Sequence, residues 1–494
     1  MNYNSTRNKK NAANWSRAIV EGIAGDGGLF VPETFPEISD LESMADMSYG
    51  DIAYEILNGF LPSLEEMPLR SIIDQAYNYK FSKNEIVPLE EVGDVHILEL
   101  FYGPTSAFKD MALSILPYLL KTAMEKENIK EKLVVLTATS GDTGKAALEG
   151  FAHKEGIKII VFYPEKGVSE IQRRQMITQE GENTFVIGIE GNFDDAQRGV
   201  KYIFNHKGFK EELLKGGYRL SSANSINIGR LIPQIVYYFY SYIKLLKEGK
   251  TTLGQKINIV VPTGNFGNIL AAYYGKRMGL PVNKLICASN ENNVLYDFIN
   301  TKVYDSRREL KLTSSPSMDI LVSSNLERLL YHLSGDNCEY VKEKMEDLHT
   351  KGYYSAEDLD MEEFYGGYST EKEVLRTIEK VFNEEYYLMD PHTAVAYNVY
   401  RKYKEETGDD TVTVIASTAN PYKFGSTVAA ALGLDTKDID EFQTLELLEG
   451  RTKVAIPNPI NGLKSKDTLH KSLCKKDEMK STVARILQVG EQNG

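Results

Sequence analysis

Lys109 closes the run Phe101-Tyr102-Gly103-Pro104-Thr105-Ser106-Ala107-Phe108-Lys109-Asp110, just ahead of a helical pattern from Met111 to Lys121. A lysine at that place is either a solvated charge near a helix start, which the helix dipole slightly disfavours, or a catalytic amine. The second use tolerates the position, because a neutral amine or a Schiff base is wanted there in place of an ammonium. Two glycine-rich turns accompany it. Thr139-Ser140-Gly141-Asp142-Thr143-Gly144 and Gly264-Asn265-Phe266-Gly267-Asn268 each follow an apolar run and precede a helical pattern. Helix starts offer unpaired amides and a positive dipole end, which suit a carboxylate or a phosphate. Taken singly, either turn is as readily an ordinary helix start. Asp142 is open to two readings, a ligand-binding turn residue or one bonding its own backbone. A nucleotide P-loop is excluded at the first turn, which has Thr139 and Ala146 where that pattern needs glycine and Ser or Thr.

The elements around these residues read as a repeated strand–turn–helix alternation. Lys132 to Ala138 is a β-branched apolar run before the first turn, with a helical pattern from Lys145 to His153 after it. Strands are expected at Lys158 to Tyr163 and Thr184 to Ile189, with helices after Pro164-Glu165-Lys166-Gly167 and from about Asp194. Ile257 to Val261 leads into the second turn, and Thr411 to Ala416 leads into Ser417-Thr418-Ala419-Asn420-Pro421. Continuous apolar strands alternating with helices indicate an α/β fold with a parallel sheet covered on both faces. Ligands of such sheets sit at the carboxyl ends of the strands, where every polar motif named here lies. Residues 1 to about 90 mix short helical patterns with a turn-rich segment. Residues 305 to 375 are polar and read as a helical excursion, and the tail from about Asp435 is charged.

The 494 residues carry a net charge of −13, with 42% hydrophobic and 26% charged residues. This is the composition of a globular chain, and it lacks the basic footprint of a nucleic-acid binder. Cys287, Cys338 and Cys474 are odd in number and far apart, so neither a disulfide framework nor a metal site is expected, and a reducing, cytoplasmic setting fits. Met1 to Asn11 is polar, with no signal-peptide core. The most apolar stretch, Leu231 to Leu246, is shorter than the ~20 residues that span a bilayer and reads as a buried helix, so no membrane partner is expected.

Taken in order, FYGPTSAFKD, TATSGDTGKAA and VPTGNFGN resemble the three cofactor-site motifs of the threonine synthase family of fold-type II pyridoxal-phosphate (PLP) enzymes. The likeness extends over most of the chain. It includes YNSTRN at 3–8, GDGGLFVPE at 25–33, FYPEKGVSEIQRRQM, GNFDDAQ, SANSINIGRL, KLICASNEN, SPSMDILVSSNLERLL, DPHTAVA and STANPYKF. Two positions depart from the family pattern: Asn420 stands where histidine is frequent and Asn8 where glycine is frequent. The resemblance implies parallel, doubly covered sheets in two lobes and an N-terminal threonine-synthase-type domain. It implies residues 1–90 as that domain, 91–430 as the catalytic core with a smaller nested lobe at about 131–220, and 431–494 as a C-terminal segment packed on the core.

The resemblance also implies roles. Lys109 would be the Schiff-base lysine, and Gly264, Asn265, Phe266, Gly267 and Asn268 would bind the cofactor phosphate through their amides. Thr418, ahead of Ser417, would face the pyridine nitrogen. Ser140, Gly141, Asp142 and Thr143 would hold the substrate carboxylate. Lys109, Thr139, Thr143, Asn224 and Arg230 would surround the distal phosphate of O-phospho-L-homoserine, with Asn227 within reach of the same ligand if its segment is partly helical. The implied activity is that of a carbon–oxygen lyase acting on phosphates, in the last step of threonine biosynthesis. Lys109 would move protons from Cα and Cβ, phosphate would leave from Cγ, and water would add at Cβ. His392 is either a proton shuttle or a helix-start histidine bonded to a carbonyl, and Arg230 is either a phosphate reader or a surface arginine. Two other functions fit part of the pattern: a PLP-dependent phospholyase or dehydratase on a related hydroxy- or phospho-amino acid, and a non-catalytic scaffold. The intact lysine and turns weigh against the scaffold. The oligomeric state is left open by the sequence.

Overall fold

Among the described residues eleven strands form two sheets, one of six strands and one of five. The computed structural model describes residues 1–77, 80–83, 85–139, 141–166 and 168–490, without the side chain of Asp194. Ser140 of the first turn and Gly167 of the Pro164–Gly167 turn therefore lie outside the described residues.

The larger sheet runs Phe364–Tyr368, Val282–Ser289, Ile257–Pro262, Thr413–Ser417, Val95–Glu99, Leu89–Val92, parallel except for the last pair. The smaller runs Ser472–Lys475, Thr184–Glu190, Ile157–Pro164, Lys132–Ala138, Tyr218–Ser221, parallel throughout. Helices cover both faces. The central strands are accordingly buried along nearly their whole length, as at Ile257–Pro262 and Leu133–Ala138, which is why they read as unbroken apolar runs. The Pro233–Lys247 helix, including Tyr237, Tyr238 and Tyr242, lies buried as expected. Among the described residues no helix is long and apolar enough to cross a membrane.

Three expectations need correction. The helical pattern at 111–121 is two helices, Asp110–Leu113 and Leu116–Lys126. Pro117 lacks the N–H that would bond the Leu113 carbonyl, and that carbonyl instead presses on Gly150, where a Cβ would lie 2.1 Å away. The stretch 305–375 is not simply helical. It holds the helices Leu326–Leu333 and Cys338–Lys351, but also the edge strand Phe364–Tyr368 of the larger sheet. Finally, the first 90 residues contain a three-stranded sheet, Asn8–Asn14, Asn2–Ser5 and Phe30–Pro32, besides the helices Tyr49–Phe60 and Glu66–Ala76.

The N-terminal sheet is anchored to the core by charge. Arg7 forms a two-point pair with Glu327 (2.9 and 2.8 Å), and Thr6 donates to the same carboxylate at 2.6 Å. Buried Arg328 donates to the Phe30 carbonyl at 2.9 Å.

Candidate active site

Lys109 sits where two chain segments are stitched together. Phe108 N–H donates to the Thr418 carbonyl (2.9 Å), and Asn420 N–H donates to the Ser106 carbonyl (3.1 Å). The lysine is thereby fixed beside the end of the Thr413–Ser417 strand. Its amine is 3.5 Å from Asp142 Oδ2 and 3.4 Å from Ser317 Oγ, and the residue is 9% exposed. Burial, the largest influence, lowers its pKa; Asp142 opposes that shift, while Lys423 and Arg230 add to it.

Asp142 opens the Asp142–Phe151 helix. Among the described residues its side chain bonds no backbone of its own turn and is instead the anionic centre of a buried cluster. Oδ1 accepts from Lys423 Nζ at 2.7 Å and from Gln172 Nε2 at 2.8 Å. Burial is the largest single influence and acts to raise its pKa, but Lys423 and Lys109 together outweigh it and hold the carboxyl well below the usual range. The turn itself is organised by Thr139, whose hydroxyl accepts the amides of Gly141 and Gly144, both at 2.9 Å. Gly141 has φ +145° and a Cβ there would lie 2.5 Å from Gln172, so only glycine fits. Thr143 is half-buried on the same helix start.

The Gly264–Asn268 turn is held from its carbonyl side. Ser323 Oγ donates to the Gly264 carbonyl at 2.8 Å, and the backbone and side chain of Asn325 donate to the Asn265 carbonyl at 3.1 and 2.9 Å. Phe266 adopts φ +59°, a left-handed residue just before the Gly267–Arg277 helix. The amides of the turn thus stand at a helix start, where unpaired N–H groups and the positive end of the dipole favour an anion. Among the described residues the amides of 264–268 donate to no carbonyl, the first such bond being Leu270 N–H to Phe266. Gly264 is also required by contact, since a Cβ would lie 2.5 Å from the Ser317 carbonyl. Asn268 Oδ1 accepts from Tyr237 at 2.6 Å and Tyr238 at 2.5 Å, while its Nδ2 is buried without a partner.

Arg230 is 3% exposed and so is no surface arginine. One guanidinium nitrogen donates to the Ala223 carbonyl at 2.9 Å, and Nε is buried without a partner. Burial pushes its pKa down to about 10, which leaves it cationic at neutral pH. The segment that carries it borders the second turn: a Cβ on Gly267 would lie 3.7 Å from Ser225 Cβ. Asn224, half-buried, donates its amide to Ser222 Oγ at 3.2 Å and accepts from Asn227 N–H at 3.0 Å. Asn227 does not join the ligand-facing set as expected. Its Nδ2 donates to the carbonyls of Ile19 and Ser222, and its Oδ1 caps Gly229 at 2.9 Å, so both side-chain protons are taken by backbone. It fixes the start of the short Ile228–Leu231 helix that carries Arg230.

The two candidates for the ring nitrogen differ in their bonding. Ser417 Oγ is 2.8 Å from Thr393 Oγ1, itself bonded to Asp390. Among the described residues the Thr418 hydroxyl has no such partner, and Thr418 is 6% exposed. His392 is bonded to a carboxylate in place of the expected carbonyl: Nδ1 lies 2.7 Å from Asp390 Oδ1, and Nε2 accepts the Ser317 amide at 3.3 Å. It positions Ser317. Asn420 Oδ1 caps Tyr422 N–H at 3.0 Å, a structural use in keeping with its departure from the family pattern.

Lys423, Ser317 and Gln172 were not singled out by sequence reasoning. Each lies inside a family-like motif, but its spacing to Lys109 or Asp142 is long and only the fold joins them.

A PLP molecule needs a reactive amine, an anion cradle for its phosphate, and a hydroxyl or carboxyl for its nitrogen. Lys109, the unbonded 264–268 amides and the unpartnered Thr418 hydroxyl meet these needs. Comparisons with known proteins agree. Family models match residues 2–77 as the threonine synthase N terminus, 83–418 as a pyridoxal-phosphate-dependent enzyme and 393–465 as the threonine synthase C-terminal part. Threonine synthase of Pseudomonas aeruginosa is 38% identical over 87% of this chain and 90% of its own. Human threonine synthase-like 1 is 37% identical over 97% of this chain, which spans 67% of that protein. The PLP-bound threonine synthase structure from Brucella melitensis superposes with a TM-score of 0.87 at 33% identity, covering 99% of both chains. The yeast enzyme gives 0.87 at 32%. The chain belongs to the threonine synthase family of PLP-dependent enzymes.

Proposed function

We propose that this chain is a threonine synthase, converting O-phospho-L-homoserine and water to L-threonine and phosphate. The observation that carries the reading is the pairing of a buried lysine with a buried arginine whose Nε lacks a partner. A substrate without a distal anion would give that cation nothing to do, whereas a distal phosphate would pair with it.

PLP supplies the electron sink for carbanions formed next to its imine carbon. The chain's residues do the rest. Lys109 would carry the cofactor, and its amine, when free, would accept the substrate's Cα proton and then relocate a proton from Cβ. The 264–268 amides would hold the cofactor phosphate. The Thr418 hydroxyl would serve the pyridine nitrogen without forcing protonation. Gly141, Asp142 and Thr143 form the carboxylate turn, in which the amides are the donors, because the Asp142 side chain is committed to Lys423 and Gln172; Ser140, expected beside them, lies outside the described residues. Arg230, with Thr139, Thr143 and Asn224 around it, holds the phosphate that departs from Cγ, and Asn227 orients Arg230. We also propose the division into 1–90, 91–430 and 431–494.

Incubation with O-phosphohomoserine and PLP, with threonine and free phosphate measured together, tests this. Equal release of both supports it; phosphate without threonine counts against it. The likeness to proteins named threonine synthase-like 1 leaves the substrate open, and the second reading is a PLP-dependent phospholyase or dehydratase on a related hydroxy- or phospho-amino acid. A keto acid with ammonia as products would favour that reading.

A further inference from the structure

We infer that Lys423 is a positioning residue that holds Asp142 as a committed counter-charge, leaving the Lys109 amine free to give up its proton. The inference rests on the reading of Lys109 as the imine lysine.

Lys109 and Lys423 share one carboxylate, Asp142, and the charge of Arg230 acts on Lys109 as well. All four are buried. An excess of buried cations over carboxylates favours loss of a proton, and the geometry selects which group loses it. Arginine keeps its proton at neutral pH. Lys423 is 0% exposed, lies 2.7 Å from Asp142 Oδ1 and donates to the Thr105 carbonyl at 2.8 Å. Those are charge-assisted hydrogen-bond distances. Lys109 has only contacts of 3.5 Å to Asp142 Oδ2 and 3.4 Å to Ser317 Oγ, with the Phe108 ring 4.8 Å away. Gln172 further ties Oδ1 to the Lys423 side of the carboxylate. The remaining nearby acid, Asp110, accepts from the amide and hydroxyl of Thr105 at 2.8 and 2.6 Å, and so faces Thr105, which Lys423 also binds. Among the described residues Asp142 is the one carboxylate within ion-pair distance of Lys109. Without Lys423 the Asp142 charge would turn to Lys109 and keep it as an ammonium.

The test measures capture of PLP by apoprotein at saturating PLP, following the imine absorbance as a function of pH. Saturation removes differences in phosphate binding. The rate follows the neutral fraction of the lysine amine. Lys423→Met should raise the midpoint, slowing capture about tenfold or more at a fixed pH below it, since an opposite charge at this range shifts a pKa by roughly one unit or more. Lys423→Arg should restore the wild-type profile. Asp142→Asn should move the midpoint the other way. A Lys423→Met profile coinciding with wild type, or a Lys423→Arg profile as slow as Lys423→Met, overturns the inference. Should Lys423→Met fail to fold, Asp142→Asn decides alone, and an unchanged or raised midpoint overturns it. Borohydride reduction and peptide mapping of each captured sample separates the two claims: label on another lysine overturns the Lys109 reading itself, whatever the midpoints do.

Discussion

Arg230 commits one guanidinium nitrogen to Ala223 and keeps a buried Nε without a partner. A buried unpaired donor costs on the order of 1–3 kcal/mol, and a bound phosphate would relieve it. Arg230→Lys should therefore weaken O-phosphohomoserine by about ten- to a hundredfold, the loss of one charge-assisted contact. PLP content and affinity for an amino acid lacking the phosphate should hardly change. Equal loss of both affinities, measured on the same mutant, would return Arg230 to a structural role. Thr418→Asp tests the other end of the cofactor. A carboxylate there favours the protonated pyridine, so PLP should still bind while turnover and the absorbance spectrum change. An unaltered spectrum would place the nitrogen elsewhere. Asp110 gives a pH prediction. Burial raises its carboxyl to about 6, above the ordinary value of about 3.9. The folded state thus binds the proton more tightly than the unfolded chain, and this stabilisation is full below pH ~4 and lost as pH rises through ~6. Two units correspond to about 2–3 kcal/mol. Asp110→Asn should flatten the fall in denaturant stability between pH 4 and 6; an unchanged slope would mean the group titrates alike in both states.

The elements that present these residues were legible to different degrees. Lys132–Ala138, Ile157–Pro164, Thr184–Glu190, Ile257–Pro262 and Thr413–Ser417 are parallel strands buried on both faces, so their apolar runs announce them. Phe364–Tyr368 stayed hidden because Gly366 and Gly367 lower strand propensity. The fold demands them: a Cβ on Gly367 would lie 2.5 Å from Val399, on the helix packed behind the sheet. The two turns and Lys109 could be found locally, since a helix start and its glycines are neighbours in sequence. Lys423 and Ser317 could not, because their partners Thr105 and Lys109 are 318 and 208 residues away. The helix at 111–121 was overread because Pro117 stands inside an otherwise regular apolar period. At this scale Gly264→Ala is informative. The added methyl would meet the Ser317 backbone at 2.5 Å, which no side-chain rotation relieves. The turn should open and PLP affinity should fall at least tenfold, by equilibrium dialysis, while thermal stability without PLP changes much less.

Residues 463–487 complete the smaller lobe. Ser472–Lys475 extends the smaller sheet beside Thr184–Glu190, and Arg174 donates to the carbonyls of Leu463 (2.7 Å) and Lys466. The Met479–Leu487 helix buries Met479, Val483 and Leu487 in the smaller lobe's core. Burying side chains of this size contributes about 1.5–3 kcal/mol each. A chain ended after residue 465 should lose on the order of 5 kcal/mol and unfold its smaller lobe first. Hydrogen exchange would then rise in 132–190 ahead of 257–289; a uniform rise would mean the tail supports both lobes equally.

The central claim is that phosphate leaves from carbon and water adds to carbon. Turnover of O-phosphohomoserine in ¹⁸O-labelled water, with mass analysis of both products, tests it most directly. The proposed chemistry puts the label in the threonine hydroxyl and leaves the released phosphate unlabelled. Labelled phosphate with homoserine, or an oxo acid in place of threonine, would contradict it.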